Sequence, residues 1–164
     1  MSDSPELSLT MATERDIPQI LTFIKALADY ERLADAVVAT EEGLRLSLFG
    51  RRPYAECVMA CWNGEPAGFA LFFHNFSTFL ARPGLYLEDL FVKPGLRGKG
   101  VGRALLQYLA KLAVDRDCGR LEWSVLDWNE SAIGFYKSIG ALPLDQWTIF
   151  RLDGEALERL AAGP

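Results

Sequence analysis

The residues best placed to do chemistry gather at Arg97-Gly98-Lys99-Gly100-Val101-Gly102. Before them, Leu85-Tyr86-Leu87-Glu88-Asp89-Leu90-Phe91-Val92 reads as a strand. After them, Val101, Ala104, Leu105, Tyr108, Leu109 and Leu112 recur at helical spacing. A glycine turn between a strand and a helix start aims free backbone N–H groups at an incoming anion, and the helix dipole adds to the attraction. Glycines keep Cβ atoms out of its way. That is the chemistry of holding a phosphorylated cofactor, and three patterns compete for it. A Walker-type loop needs Lys and Ser/Thr after its last glycine, but Val101 and Gly102 follow Gly100. A dinucleotide fingerprint starts at Gly98 and Gly100, and Glu122 lies where a ribose-binding acid would stand. Its third glycine, however, is replaced by Arg103. The third pattern, Arg-x-x-Gly-x-Gly/Ala, is met by Arg97, Gly100 and Gly102. Taken alone, the segment also reads as a plain strand–helix turn.

A second constellation lies downstream. Leu121-Glu122-Trp123-Ser124-Val125-Leu126 reads as a strand, and Asn129 suits a helix N-cap with Glu130 in the first turn. Ala132, Phe135, Tyr136 and Ile139 share one helical face, and Gly140 is a natural residue just past the helix end. By themselves, Asn129 reads as a cap and Tyr136 as a packed aromatic. The spacing Val-x3-Asn-x2-Ala-x3-Tyr-x3-Gly runs from Val125 to Gly140 and follows the glycine loop in one short chain; it resembles the second part of a known family's cofactor site.

These segments need a frame. The chain of 164 residues is long enough for one domain with a substantial core. Residues 7–11 read as a strand. Thr13 and Asp16 open a helix carrying Ile17, Ile20, Leu21, Ile24, Leu27 and Ala28, and Thr40-Glu41-Glu42 opens a shorter one to about Leu48. Residues 57–62 and 67–73 read as a hairpin across Asn63-Gly64-Glu65-Pro66. Residues 147–152 read as a last strand before a short helix. The order implies an α/β fold with a mixed, mostly antiparallel central sheet flanked by helices, behind a short flexible tail of residues 1–6.

Composition narrows the function. A net charge of −5 argues against a general nucleic-acid binder and suits a cationic small molecule. The sole histidine, His74, leaves no multi-histidine metal centre and no nucleophile elbow for it to serve. No segment has the length and apolarity of a membrane span, and no secretory leader is visible. Cys57, Cys61 and Cys118 form no Cys-x-x-Cys pair and read as free thiols, so a cytoplasmic location is expected. No metal is expected.

With both motifs in hand, residues 7–160 resemble the GNAT family of N-acetyltransferases, and its diamine/thialysine acetyltransferase branch in particular. Tyr86-Leu87-Glu88-Asp89 and Phe135-Tyr136-Lys137 carry that likeness. Tyr30-Glu31-Arg32-Leu33, Ser77-Thr78 and Val125-Leu126-Asp127-Trp128-Asn129 lean toward its thialysine members. Ala34, Thr78 and Phe79 stand where polyamine-acetylating members carry acids and a Trp, which argues against polyamine specificity. The resemblance implies a single GNAT domain over residues 7–164, acetyl-CoA as donor, a small-molecule primary amine as acceptor, and a homodimer. Backbone groups around Leu90, Phe91, Val92, Gly98, Val101 and Gly102, with charge from Arg97, Lys99 and Arg103, would hold the cofactor with Gly100, Asn129 and Tyr136.

A primary amine has a pKa near 10.4 and must lose a proton before it can attack, so a base is required. Glu88 is the candidate base and Tyr136 the candidate acid for the departing thiolate. Glu31, Glu88, Asp89, Asp145 and Trp147 are expected at the substrate end. Adjacent strand residues face opposite ways, so Glu88 and Asp89 would diverge. The resemblance implies a β-bulge that re-aims them. Three other readings stay open: a noncatalytic acyl-CoA sensor, an acetyltransferase acting on a peptide or protein amine, and a nucleotide-dependent oxidoreductase.

Overall fold

Cys57, Val58, Met59 and Ala60 are all buried, which a strand with one wet face does not allow. They belong to a strand covered on both sides. The computed structural model describes residues 6–163. In it that strand is β2 (Glu56–Trp62), which lies in a five-stranded sheet with β1 (Leu7–Met11), β3 (Glu65–Ser77), β4 (Arg82–Val92) and β5 (Leu121–Trp123), ordered β1-β2-β3-β4-β5. The first four strands are antiparallel, and β5 runs parallel to β4. The chain divides into two compact units, one through Ser124 and one from Val125 onward.

In the first unit, α1 (Ile17–Tyr30) and α2 (Glu41–Phe49) cover one face of the sheet. Their core joins Ile20, Phe23, Leu27 and Leu48 to Cys57, Met59, Phe69 and Phe91. Phe23 stacks on Phe69 at 5.8 Å and meets Phe91 at 5.4 Å between ring centres. Burying each such ring is worth about 1.5–3 kcal/mol. α3 (Val101–Asp115) joins β4 to the parallel β5 and buries Val101, Leu105, Leu106, Leu109 and Ala113.

Local signals explain the ends. The Thr13 N–H donates to Asp16 Oδ2 at 2.8 Å, although a 3-10 turn (Glu14–Asp16) precedes the α-helix proper. Thr40 Oγ1 caps α2 by accepting from the Gly43 N–H at 3.1 Å. The β2–β3 turn is tighter than the sequence suggests: only Asn63 and Gly64 form the loop. Their φ of 52° and 83° are those of a type I′ turn, and Glu65 and Pro66 already pair with Trp62 and Cys61. Residues 1–5 of the expected tail lie outside the described residues. Glu6 is anchored, its N–H donating to Asn63 Oδ1 at 2.9 Å.

The second unit holds α4 (Glu130–Ser138) and α5 (Gly154–Ala162). Asn129 Oδ1 caps α4 by accepting from the Ala132 N–H at 3.3 Å. At the other end Gly140 takes φ 91°. Its N–H donates to Lys137 O, and the Ala141 N–H to Tyr136 O, a Schellman close. The strand expected over residues 147–152 is absent. Its apolar residues have strand character, but a strand needs ladder bonds to a neighbour, and the segment forms none.

Candidate active site

The bulge expected from the resemblance is present. Leu71 faces Asp89 and Phe72 faces Leu87, so Glu88 has no cross-strand partner on β3. Without it, Leu87, Asp89 and Phe91 would share one face of β4. Leu87 instead lies opposite Phe72, over whose ring the Arg116 guanidinium sits, just past the end of α3. Asp89 and Phe91 turn to the opposite face, against α1. The pairing of β4 with β5 also stops at Leu87–Trp123, just before the bulge, which is why β5 ends short of the expected Leu126. One extra residue thus aims Asp89 inward and leaves Glu88 exposed beside it.

Asp89 enters a cavity of about 140 Å³ lined by Ile24, Leu27, Ala28, Glu31, Leu33, Ala36 and Val37. Its apolar wall is one face of α1. Burial, then the charges of Glu88 and Glu31, push the Asp89 carboxyl from 3.8 up to about 6. Burial pushes Glu31 up as well. Two carboxyls in an apolar recess, each resisting ionisation, are stabilised by a cation bound between them. The aliphatic walls suit the methylene stem of such a cation.

The glycine loop follows β4. Gly98 and Gly100 have φ of 76° and 89°, and a Cβ at either would meet no atom of the chain within 4 Å. The Ala104 N–H is bonded to Gly100 O at 2.9 Å. The N–H groups of Val101, Gly102 and Arg103, in the first turn of α3, have no intrahelical acceptor. Gly102 is informative. Its backbone is helical, and a Cβ there would touch only Val92 Cγ2, at 3.6 Å. Neither conformation nor packing demands glycine there, whereas a group seated on those N–H donors would. The loop therefore fits a diphosphate-bearing cofactor. Arg97 and Lys99 lie over rings, Arg97 at 4.5 Å from Tyr30 and Lys99 at 5.7 Å from Trp62, and Arg103 is exposed on α3.

In the second unit, Asn129 and Tyr136 lie two turns apart on the same side of α4, and the Phe135 and Tyr136 ring centres are 5.7 Å apart. Because Asn129 Oδ1 is engaged in capping, its amide NH2 is the group left to donate outward. Asp145 and Trp147 lie on a turn, the Trp147 N–H donating to Leu144 O, and line a recess of about 230 Å³ with Pro143, Leu144 and Gln146.

The structure thus brings Glu31 and Asp89 together and sets Glu88 at the rim. The sequence reading missed Leu33, Ala36 and Val37, which enclose the cavity from a 3-10 turn without periodicity. Ile24, Leu27, Ala28 and Glu31 share a helical face and offered a signal. Among the described residues, no group of three or more His, Cys, Asp or Glu residues could hold a metal. No helix there is long and apolar enough to cross a membrane. All three cysteines are free.

Comparison with known proteins bears on the family and the fold. The model of the Acetyltransferase (GNAT) family matches residues 22–141. Thialysine N-epsilon-acetyltransferase of Bos taurus is 40% identical over 161 residues, covering 92% of this chain and 94% of its own. L-ornithine N5-acetyltransferase NATA1 of Arabidopsis thaliana is 34% identical, covering 93% and 86%. An integron cassette protein from V. cholerae superposes with a TM-score of 0.78 at 29% identity, covering 94% of this chain and 97% of its own.

Proposed function

This chain belongs to the GNAT family of acetyltransferases, and on that premise we propose that it acetylates a primary amine of a small molecule that carries a second polar or charged end. GNAT acetyltransferases use acetyl-CoA as co-substrate. The observation that carries the proposal is the cavity holding Glu31 and Asp89 within aliphatic walls, next to the exposed Glu88. The relatives named for thialysine and L-ornithine acetylation support an acceptor of that class.

Bound acetyl-CoA supplies a thioester carbon that a free amine attacks, a C–N bond forming as the C–S bond breaks. The N–H groups of residues 98–103 and the positive end of α3 hold the diphosphate. Asn129 donates to the pantetheine arm. Asp89 and Glu31 hold the ammonium and orient the stem. Glu88, on the bulge and in contact with solvent, takes the proton that the ammonium must lose. Tyr136 donates its phenolic proton to the departing sulfur, a role a carboxylate ionised at neutral pH cannot fill. In the second unit, Asp145 and Trp147 are an acid beside an aromatic, a pair suited to an amine.

The protein acts in the cytoplasm as a homodimer without nucleic-acid or membrane partners in this proposal. The exposed Leu142, Ile149 and Phe150 support association. The test is a pair of variants, Glu31→Gln and Asp89→Asn. Each is expected to raise the amine KM at least tenfold while leaving acetyl-CoA binding by calorimetry near wild type. An unchanged amine KM in both would remove the cavity from the acceptor site.

A further inference from the structure

Arg97 opens the glycine loop, where a cation is expected to face phosphate. Its side chain lies instead along the protein surface. Nε donates to Val92 O at 3.2 Å, at the end of β4. The guanidinium carbon is 4.5 Å from the centre of the Tyr30 ring and 6.0 Å from that of Phe91. Both rings adjoin residues of the acceptor cavity. Tyr30 is the last residue of α1, and the next residue, Glu31, ends the helix with its N–H donating to Leu27 O at 2.9 Å. Glu31 and Leu27 line the cavity. Phe91 lies two residues beyond Asp89, on the same face of β4, and packs on Phe23 of α1.

A guanidinium over a ring is not spent as a cation. With Nε on Val92 O and the guanidinium carbon over Tyr30, the Nη N–H groups are the ones to meet an anion, an arrangement a lysine ammonium cannot reproduce. An anion drawn onto those N–H groups holds the guanidinium more firmly, and the guanidinium holds Tyr30. We propose that Arg97 is a positioning residue that fastens the cofactor loop to the acceptor cavity through Tyr30, so that a diphosphate bound at the loop orders the α1 terminus carrying Glu31. This rests on the reading of the loop as donor site and the cavity as acceptor site. It makes Tyr30 and Arg97 a pair that couples the two ligands, with the coupling reciprocal in their affinities.

The experiment is amide hydrogen exchange across residues 28–33 in the full chain. It compares wild type, Tyr30→Leu, Arg97→Lys and the double variant, each without ligand and with saturating CoA. Without ligand, each single variant is expected to speed exchange about two- to fivefold, the worth of a half-exposed cation–π contact, and the double variant no more than either. Adding CoA is expected to slow exchange in wild type and to do so far less in the variants. Arg97→Lys carries the discrimination, because it keeps the charge. If that variant protects residues 28–33 as wild type does, or if the two substitutions act additively, the proposal is overturned. In steady state, Tyr30→Leu is expected to raise the amine KM severalfold with little change in kcat, the pattern of a lost positioning contact. The ligand-free exchange decides the contact without any bound cofactor. If calorimetry shows no CoA binding to wild type, the donor-site reading fails separately.

Discussion

Replacing Asp89 by Asn is expected to stabilise the protein and impair its use of amines. The Asp89 carboxyl is pushed from 3.8 to about 6, chiefly by burial and then by the charges of Glu88 and Glu31. The native state therefore keeps its proton through a range in which the unfolded chain has lost it. The stabilisation from that proton is complete below about 3.8, falls as pH rises, and is gone above about 6. At about 1.36 kcal/mol per unit the gap amounts to about 3 kcal/mol, and solvent at the cavity mouth reduces it to about 2 kcal/mol. Asn carries no such cost. At pH 8 the variant should be about 2 kcal/mol more stable, a rise in Tm of about 4–8 °C for a chain of this size. Near pH 3.5 the two proteins should converge. Urea unfolding of both at intervals from pH 3.5 to 8 gives the difference curve, in which the ionisable groups other than Asp89 and its neighbours Glu88 and Glu31 cancel. A flat difference, or a less stable variant at pH 8, would refute the reasoning. A cationic amine binds the ionised cavity, so wild-type affinity should rise with pH through about 6, and this rise should be smaller in the variant, where Glu31 is the remaining cavity acid.

Gly102→Leu should leave thermal stability within about 1 kcal/mol, since the position is helical and a Cβ there meets only Val92 Cγ2, in ordinary contact at 3.6 Å, yet weaken CoA binding in calorimetry at least tenfold. Tyr136→Phe should lower kcat about a hundredfold or more with CoA affinity near wild type, and unchanged turnover would end its role as acid. Phe69→Ala, which empties the place of a ring with 0% exposure, should cost about 3–5 kcal/mol in urea unfolding, and a loss below 1 kcal/mol would show the core to be packed otherwise.

The parts legible in the sequence are those whose cause is local. Leu7–Met11, the Thr40 cap, the Asn129 cap and the Gly140 close follow from short-range side-chain and backbone preferences, and the structure has each where it was expected. The glycine loop was legible for the same reason, its spacing being a property of six consecutive residues. The cavity's walls were not, because Glu31 and Asp89, expected together only through resemblance, meet by packing α1 against β4. The bulge left no mark in Leu85-Tyr86-Leu87-Glu88-Asp89-Leu90-Phe91-Val92, which reads as a regular strand. It was expected only through resemblance. Residues 147–152 show the opposite failure: strand composition without ladder bonds. The seat of Arg97 on Tyr30 joins residues far apart in sequence, and the motif suggested phosphate alone.

The most direct test is CoA release from acetyl-CoA across a panel of acceptors: thialysine, L-ornithine, lysine, short diamines, spermidine and a peptide with a free N-terminus. Saturable release with a small amine from the first four classes, with the acetylated amine identified by mass spectrometry, is the expected result. Preferential acetylation of the peptide, or CoA binding without transfer to any amine, would contradict a small-amine acetyltransferase.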